Sequence, residues 1–150
     1  MLRDFLLASL HHLLFFGLIA MLAAESALLK RGVDRAAIVR LSRLDAAYGL
    51  TAGLILAAGL LRILYGLKGW DFYAHNPWFH AKLGAFLLAA LLSLVPTVRF
   101  MRWRRRLRAD PSFLPSPEDA DCLRPWLLAQ VALIAVILVC AAGMARHGGL

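Results

Sequence analysis

Four long apolar runs, at about 5–29, 45–67, 78–98 and 125–145, constrain this chain more than any other feature of its sequence. Each is close to the roughly 20 residues with which a helix crosses a hydrocarbon core. They predict an all-α, integral membrane four-helix bundle, a single transmembrane domain over residues 1–150. Composition agrees, because 61 % of the chain is hydrophobic and its mean hydropathy is +0.70, beyond the roughly 45–50 % apolar usage of soluble domains. The first run has the outline of a signal peptide, with Arg3 before it and the small residues of "LAAES" near its end. Its length, its two interrupting histidines and the Lys30-Arg31 pair behind it predict a retained span instead.

Charge sets the orientation. The net charge of +8 lies in blocks between the apolar runs. Lys30, Arg31, Arg35, Arg40 and Arg43 fill the first connection, and Arg99, Arg102, Arg104, Arg105, Arg106, Arg108 and Arg124 the third. Only Arg3, Arg62, Lys68 and Arg146 lie near the opposite side. By the positive-inside rule both basic connections are cytoplasmic, and both termini and the 68–77 loop face outward. The run "RFMRWRRRLR" is read as a topogenic anchor in contact with anionic lipid. Nucleic acid is not expected there, since no stacking platform or recognition motif accompanies the charge. "DPSFLPSPED" at 110–119 reads as a cytoplasmic linker. Cys122 and Cys140 imply neither a disulfide nor a metal motif.

Gly49 and Gly53, with Ala57 after them, have the small-xxx-small spacing that lets helices approach closely in lipid. This predicts packing against another helix of the same chain, with a homodimer contact as the alternative. The last run, with Gln130 its only strongly polar group, reads as a wall of the bundle.

Ionisable groups inside apolar helices are costly and mark functional candidates. Here they form two layers. The inner one holds Glu25, Arg43, Asp45 and Tyr48, and nearby arginines predict an ion-pair lock, with a proton relay as the alternative reading. The outer one holds His11 and His12 on the first helix, Arg62 on the second, and His80 and Lys82 on the third. Asn76-Pro77 is a helix start, with Asn as N-cap and Pro as the first helical residue, so His80 lies one turn inside. Two imidazoles on facing helices of a bundle suit the axial ligation of haem b, and Arg62 and Lys82 suit its carboxylates. Helical spacing qualifies this arrangement. Lys82 shares a face with the small residues Ala85, Ala89 and Ser93, whereas His80 shares the opposite one with Gly84, Leu87 and Leu91. His12 aligns with Ala8, Ile19, Ala23 and Ser26, and His11 with Leu18 and Glu25. Either could face inward.

The stretches "LHHLLFFGLIAMLAAE" (10–25), "LDAAYGLTAGLILAAGLLRILYGLKG" (44–69) and "NPWFHAKL" (76–83) resemble an uncharacterised family of four-helix bacterial membrane proteins. That family is more distantly similar to the copper-resistance D-like superfamily, which includes the HemJ-type protoporphyrinogen oxidases. The resemblance implies a multi-pass protein of the bacterial inner membrane. It also implies haem b held by His80 and one of His11 and His12, and electron transfer or porphyrinogen-type oxidation with an unidentified redox partner. Lys82 and Arg62 would hold the reactant's carboxylates. His12, Glu25 and the outer loop "GWDFYAHNPW" depart from the HemJ-type pattern. Two other readings stand beside this one. A copper or small-solute transport component is disfavoured by the scatter of Met1, Met21, Met101 and Met144; a non-enzymatic accessory protein would need only the glycine seam and the basic connections.

Overall fold

The computed structural model describes residues 2–65 and 69–146. Four long helices carry the fold: α1 (Leu2–Lys30), α2 (Arg35–Tyr65), α4 (Pro77–Ala109) and α6 (Arg124–Arg146), with two short ones, α3 (Gly69–Ala74) and α5 (Pro117–Asp121), between them. Four spans, Phe5–Lys30, Arg35–Tyr65, Pro77–Ala109 and Pro117–Arg146, are long and apolar enough to cross a membrane. The helices alternate in direction and pack as a ring in the order α1, α2, α4, α6, which closes back onto α1.

The helices extend further than the apolar runs predict. α2 begins at Arg35, ten residues before its apolar run, because Gly32 at φ +90° ends the preceding chain direction. The Asp34 carboxylate then accepts from the Ala37 N–H at 2.6 Å, in place of the missing previous turn. α4 continues through the arginine run to Ala109. That run carries an apolar stripe, Phe100, Trp103 and Leu107, whose first two members are buried with Ile38, Leu41, Ala120 and Leu123 in an extension of the core beyond the apolar runs. The basic connections are therefore mostly helix; most of their arginines are exposed, while Arg99 and Arg104 are half-buried. Arg99 pairs with Asp119 at 3.5 Å across the α4–α5 corner, and the Arg106 guanidinium lies 5.5 Å from the Phe113 ring centre. Asp110 closes α4, and the Ser112 hydroxyl and N–H both donate to its carboxylate.

At the outer end α4 starts as its sequence dictates. The Asn76 side chain accepts from the Trp78 and Phe79 N–H groups, and Pro77 takes the first helical position. Close packing of α4 on α6 is fixed here, because Gly143 leaves room for the Trp78 indole; a Cβ at 143 would lie 2.7 Å from it.

The glycine seam is corrected. Gly49 and Gly53 are exposed and no heavy atom lies within 4 Å of a Cβ built on either. The buried stripe of α2 runs through Ile38, Leu41, Asp45, Tyr48 and Ile55, so the seam lies on its flank at 100° per residue. The side chains that cover the outside of the bundle, among them Leu50, Leu54, Leu87, Leu91, Leu94, Leu128, Val131 and Val139, are apolar and exposed. Such a belt matches the hydrocarbon of a bilayer.

Candidate functional site

The outer polar layer comes together around His11. Residues 11, 18 and 25 recur every two turns of α1; Leu18 and Glu25 are buried and His11 is half-buried on the same face. Gly59 of α2 stands opposite, so close that a Cβ there would lie 3.7 Å from His11 Cε1. The ring approaches the backbone of Ile55 one turn away, yet its Nδ1 is buried without a hydrogen-bond partner.

Two cations complete the group. Arg62 of α2 and Lys82 of α4 both lie within electrostatic range of the His11 ring and of each other. The Arg62 Nε is also buried without a partner. Lys82 is half-buried, its Nζ is 5.9 Å from the Phe79 ring centre, and Cys140 of α6 comes within range of its charge. Among the described residues the ion pairs are Arg99–Asp119 and Arg124–Asp121, so no carboxylate reaches Arg62 or Lys82. Like charges brought together in a low-dielectric bundle repel one another. The arrangement is complementary to an anion.

The other two histidines face elsewhere. His12 is exposed and its Nδ1 lies 2.6 Å from the Ala8 carbonyl oxygen, one turn back on α1. His80 is exposed, and its Nε2 lies 2.9 Å from the Ala74 carbonyl oxygen, where it satisfies the end of α3. Lys82 and not His80 thus points inward, with Ala85 and Ala89 buried on its side and Gly84, Leu87 and Leu91 exposed on the other. His11 is the inward member of its pair; it meets His12 edge-on at 6.3 Å between ring centres.

These positions bear directly on haem b. Axial ligation by two histidines needs both ring nitrogens aimed at a shared centre; here the His80 nitrogen is turned to a carbonyl outside the bundle, so the pair His11 and His80 does not fit that role. A single buried imidazole beside two cations is what remains of the expected donor set. Among the described residues no three His, Cys, Asp or Glu side chains gather in metal-binding proximity. Further in, a void of about 10 Å³ lies between Phe15, Leu18, Tyr48, Phe86 and Ile134, room for about one water.

The inner layer also differs from expectation. Neither Glu25 nor Asp45 pairs with an arginine. Arg43 is exposed, and Arg104 Nη1 donates instead to Ser42 Oγ at 3.2 Å. Arg40 and Arg43, the arginines nearest Asp45 in the sequence, are exposed on α2.

Fold and site together define a polytopic membrane protein, an antiparallel four-helix bundle with a half-buried cationic cluster that no carboxylate pairs among the described residues. The chain belongs to the family described as "Predicted membrane protein (DUF2214)", which matches residues 3–149. No curated protein and no solved structure matches it.

Proposed function

We propose that the protein binds a carboxylate-bearing, amphipathic ligand in the outer half of its bundle, through His11, Arg62 and Lys82. One observation carries this reading: two buried nitrogens, His11 Nδ1 and Arg62 Nε, have no hydrogen-bond partner beside a lysine that also has no carboxylate. A buried donor left unpaired costs about 1–3 kcal/mol, and more when charged. A carboxylate seated among the three groups removes that cost and the mutual repulsion of the cations.

Haem b is the redox form of the same reading. Its carboxylates match Arg62 and Lys82, its apolar body matches the bundle wall, and His11 is the one imidazole placed to serve its iron. Bound haem would supply one-electron chemistry. His11, Arg62 and Lys82 would bind and orient, and the surrounding leucines would exclude water.

The test uses protein purified in mild detergent from haem-replete cells, followed by titration with protoporphyrin IX and its dimethyl ester. The free acid is expected to bind at least tenfold tighter than the ester, which corresponds to about 1.4 kcal/mol. Arg62→Gln and Lys82→Gln should erase the difference, and His80→Ala should leave it. Equal binding of acid and ester, or none of either, refutes the anion site. A Soret band lost in His11→Ala and kept in His80→Ala supports the haem form; a colourless preparation refutes that form alone.

A further inference from the structure

The cytoplasmic half of the bundle holds the opposite of the outer cluster. Glu25 of α1 is 2 % exposed and its Oε1 has no hydrogen-bond partner. Asp45 of α2, also buried, lies within electrostatic range of it, and Tyr48 one turn further along α2 lies within range of both carboxyl groups. From α4, Thr97 Oγ1 donates to Asp45 Oδ1 at 2.7 Å, and Arg104, nearer the cytoplasm, is engaged by Ser42. α6 contributes at this level the neutral Gln130, 1 % exposed, whose Nε2 donates to the Trp126 carbonyl. No cation pairs with either carboxylate among the described residues.

Two adjacent carboxylates in such surroundings are not both ionised. Each charge buried without a partner is heavily penalised, and each penalises the other. The Thr97 hydroxyl satisfies one oxygen of Asp45. Glu25 has no donor to its Oε1, and that oxygen is satisfied once it carries a hydrogen and becomes a donor itself.

We propose that Glu25 and Asp45 form a proton-holding pair, a carboxylic acid beside a carboxylate, that exchanges one proton with the cytoplasmic side. The proton comes from water and resides on Glu25; its release leaves both groups ionised and is opposed by their repulsion. The site is independent of the outer cluster, and ionisable residues at this depth mark functional paths for ions, substrates or protons in membrane proteins.

Infrared spectroscopy of the whole protein in detergent tests this. Of the nine acidic residues, Asp34, Asp71, Asp110, Glu118 and Asp121 are exposed, and Asp119 pairs with Arg99. Wild-type protein at neutral pH should show a carboxylic-acid C=O band of one group, which moves to lower frequency in D₂O. Glu25→Gln should abolish it; Asp45→Asn should shift it and keep it. Absence of the band in wild type overturns the proposal whether or not the variants fold. So does a band that survives unchanged in both variants, or one that disappears when sodium is added at constant pH, which would make this a cation site. Porphyrin binding at the outer cluster, measured on the same Glu25→Gln protein, should stay within twofold of wild type.

Discussion

Gly143→Ala is the substitution whose sign the fold fixes most sharply. A Cβ at position 143 would meet Trp78 Cδ2, Cε3 and Cε2 at 2.7, 2.8 and 2.9 Å. Ordinary contact begins at 3.4 Å, so the indole or the outer end of α6 must give way by about 0.7 Å, in a region where overpacking costs about 1–3 kcal/mol. Alanine recovers only about 0.5–1 kcal/mol over glycine inside a helix. The balance is a loss of up to about 2.5 kcal/mol, or a fall of up to roughly 10 °C in the midpoint of thermal unfolding for a chain of this size. Gly53→Ala is the control, since its Cβ enters open space and should raise the midpoint. Trp78→Phe removes the fused ring that the new methyl meets, so the double variant should be more stable than the sum of the singles predicts. The assay is intrinsic fluorescence on heating in detergent. A rise in the midpoint for Gly143→Ala equal to that for Gly53→Ala would refute the close approach of α4 and α6.

Three further outcomes follow from named contacts. Asn76→Ala removes the acceptor for the Trp78 and Phe79 N–H groups and should lower stability by about 1 kcal/mol, read from the same thermal scan. Trp103→Ala, at 2 % exposure beneath the arginine run, should cost about 3–5 kcal/mol, whereas Arg105→Ala on the exposed face should change the midpoint little. The Ser112 hydroxyl and N–H hold the Asp110 carboxyl below the ordinary carboxylate range. That bond thus favours the fold above the ordinary range, and its contribution is lost as pH falls through the depressed value. Ser112→Ala should move the Asp110 titration upward, as followed by carboxyl carbon NMR.

The centres of the four spans were legible because twenty apolar residues in a row admit one solvent. Their ends were not, because Phe100, Trp103 and Leu107 form a helical stripe that the surrounding arginines conceal when the run is read as charge alone. The same holds for Ile38 and Leu41, which extend α2 back through a basic segment. At the site, the inward side of α4 could be read from Ala85 and Ala89 beside Lys82, since small residues on one face of a membrane helix mark its contacts. The seam at Gly49 and Gly53 shows the limit of that rule, for there the heavier residues Tyr48 and Ile55 make the contact and the glycines do not. Which of His11 and His12 faces inward depends on the pairing of α1 with α2, and with it the role of Gly59. Helical period alone does not contain that register.

His11 meets Gly59 and Glu25 lies within electrostatic range of Asp45, so fourteen residues separate the two polar layers along each helix, about 21 Å at 1.5 Å per residue. A hydrocarbon core is about 30 Å thick, which places the layers at different electrical depths. A transmembrane voltage does work of about 2.3 kcal/mol per unit charge per 100 mV across the full thickness, hence roughly 1.6 kcal/mol per 100 mV between these layers. Occupancy of the proposed outer anion site and of the proposed inner proton pair would therefore answer to membrane potential in proportion to how far into the field each one lies. An energised cell and a detergent micelle present this protein with different equilibria.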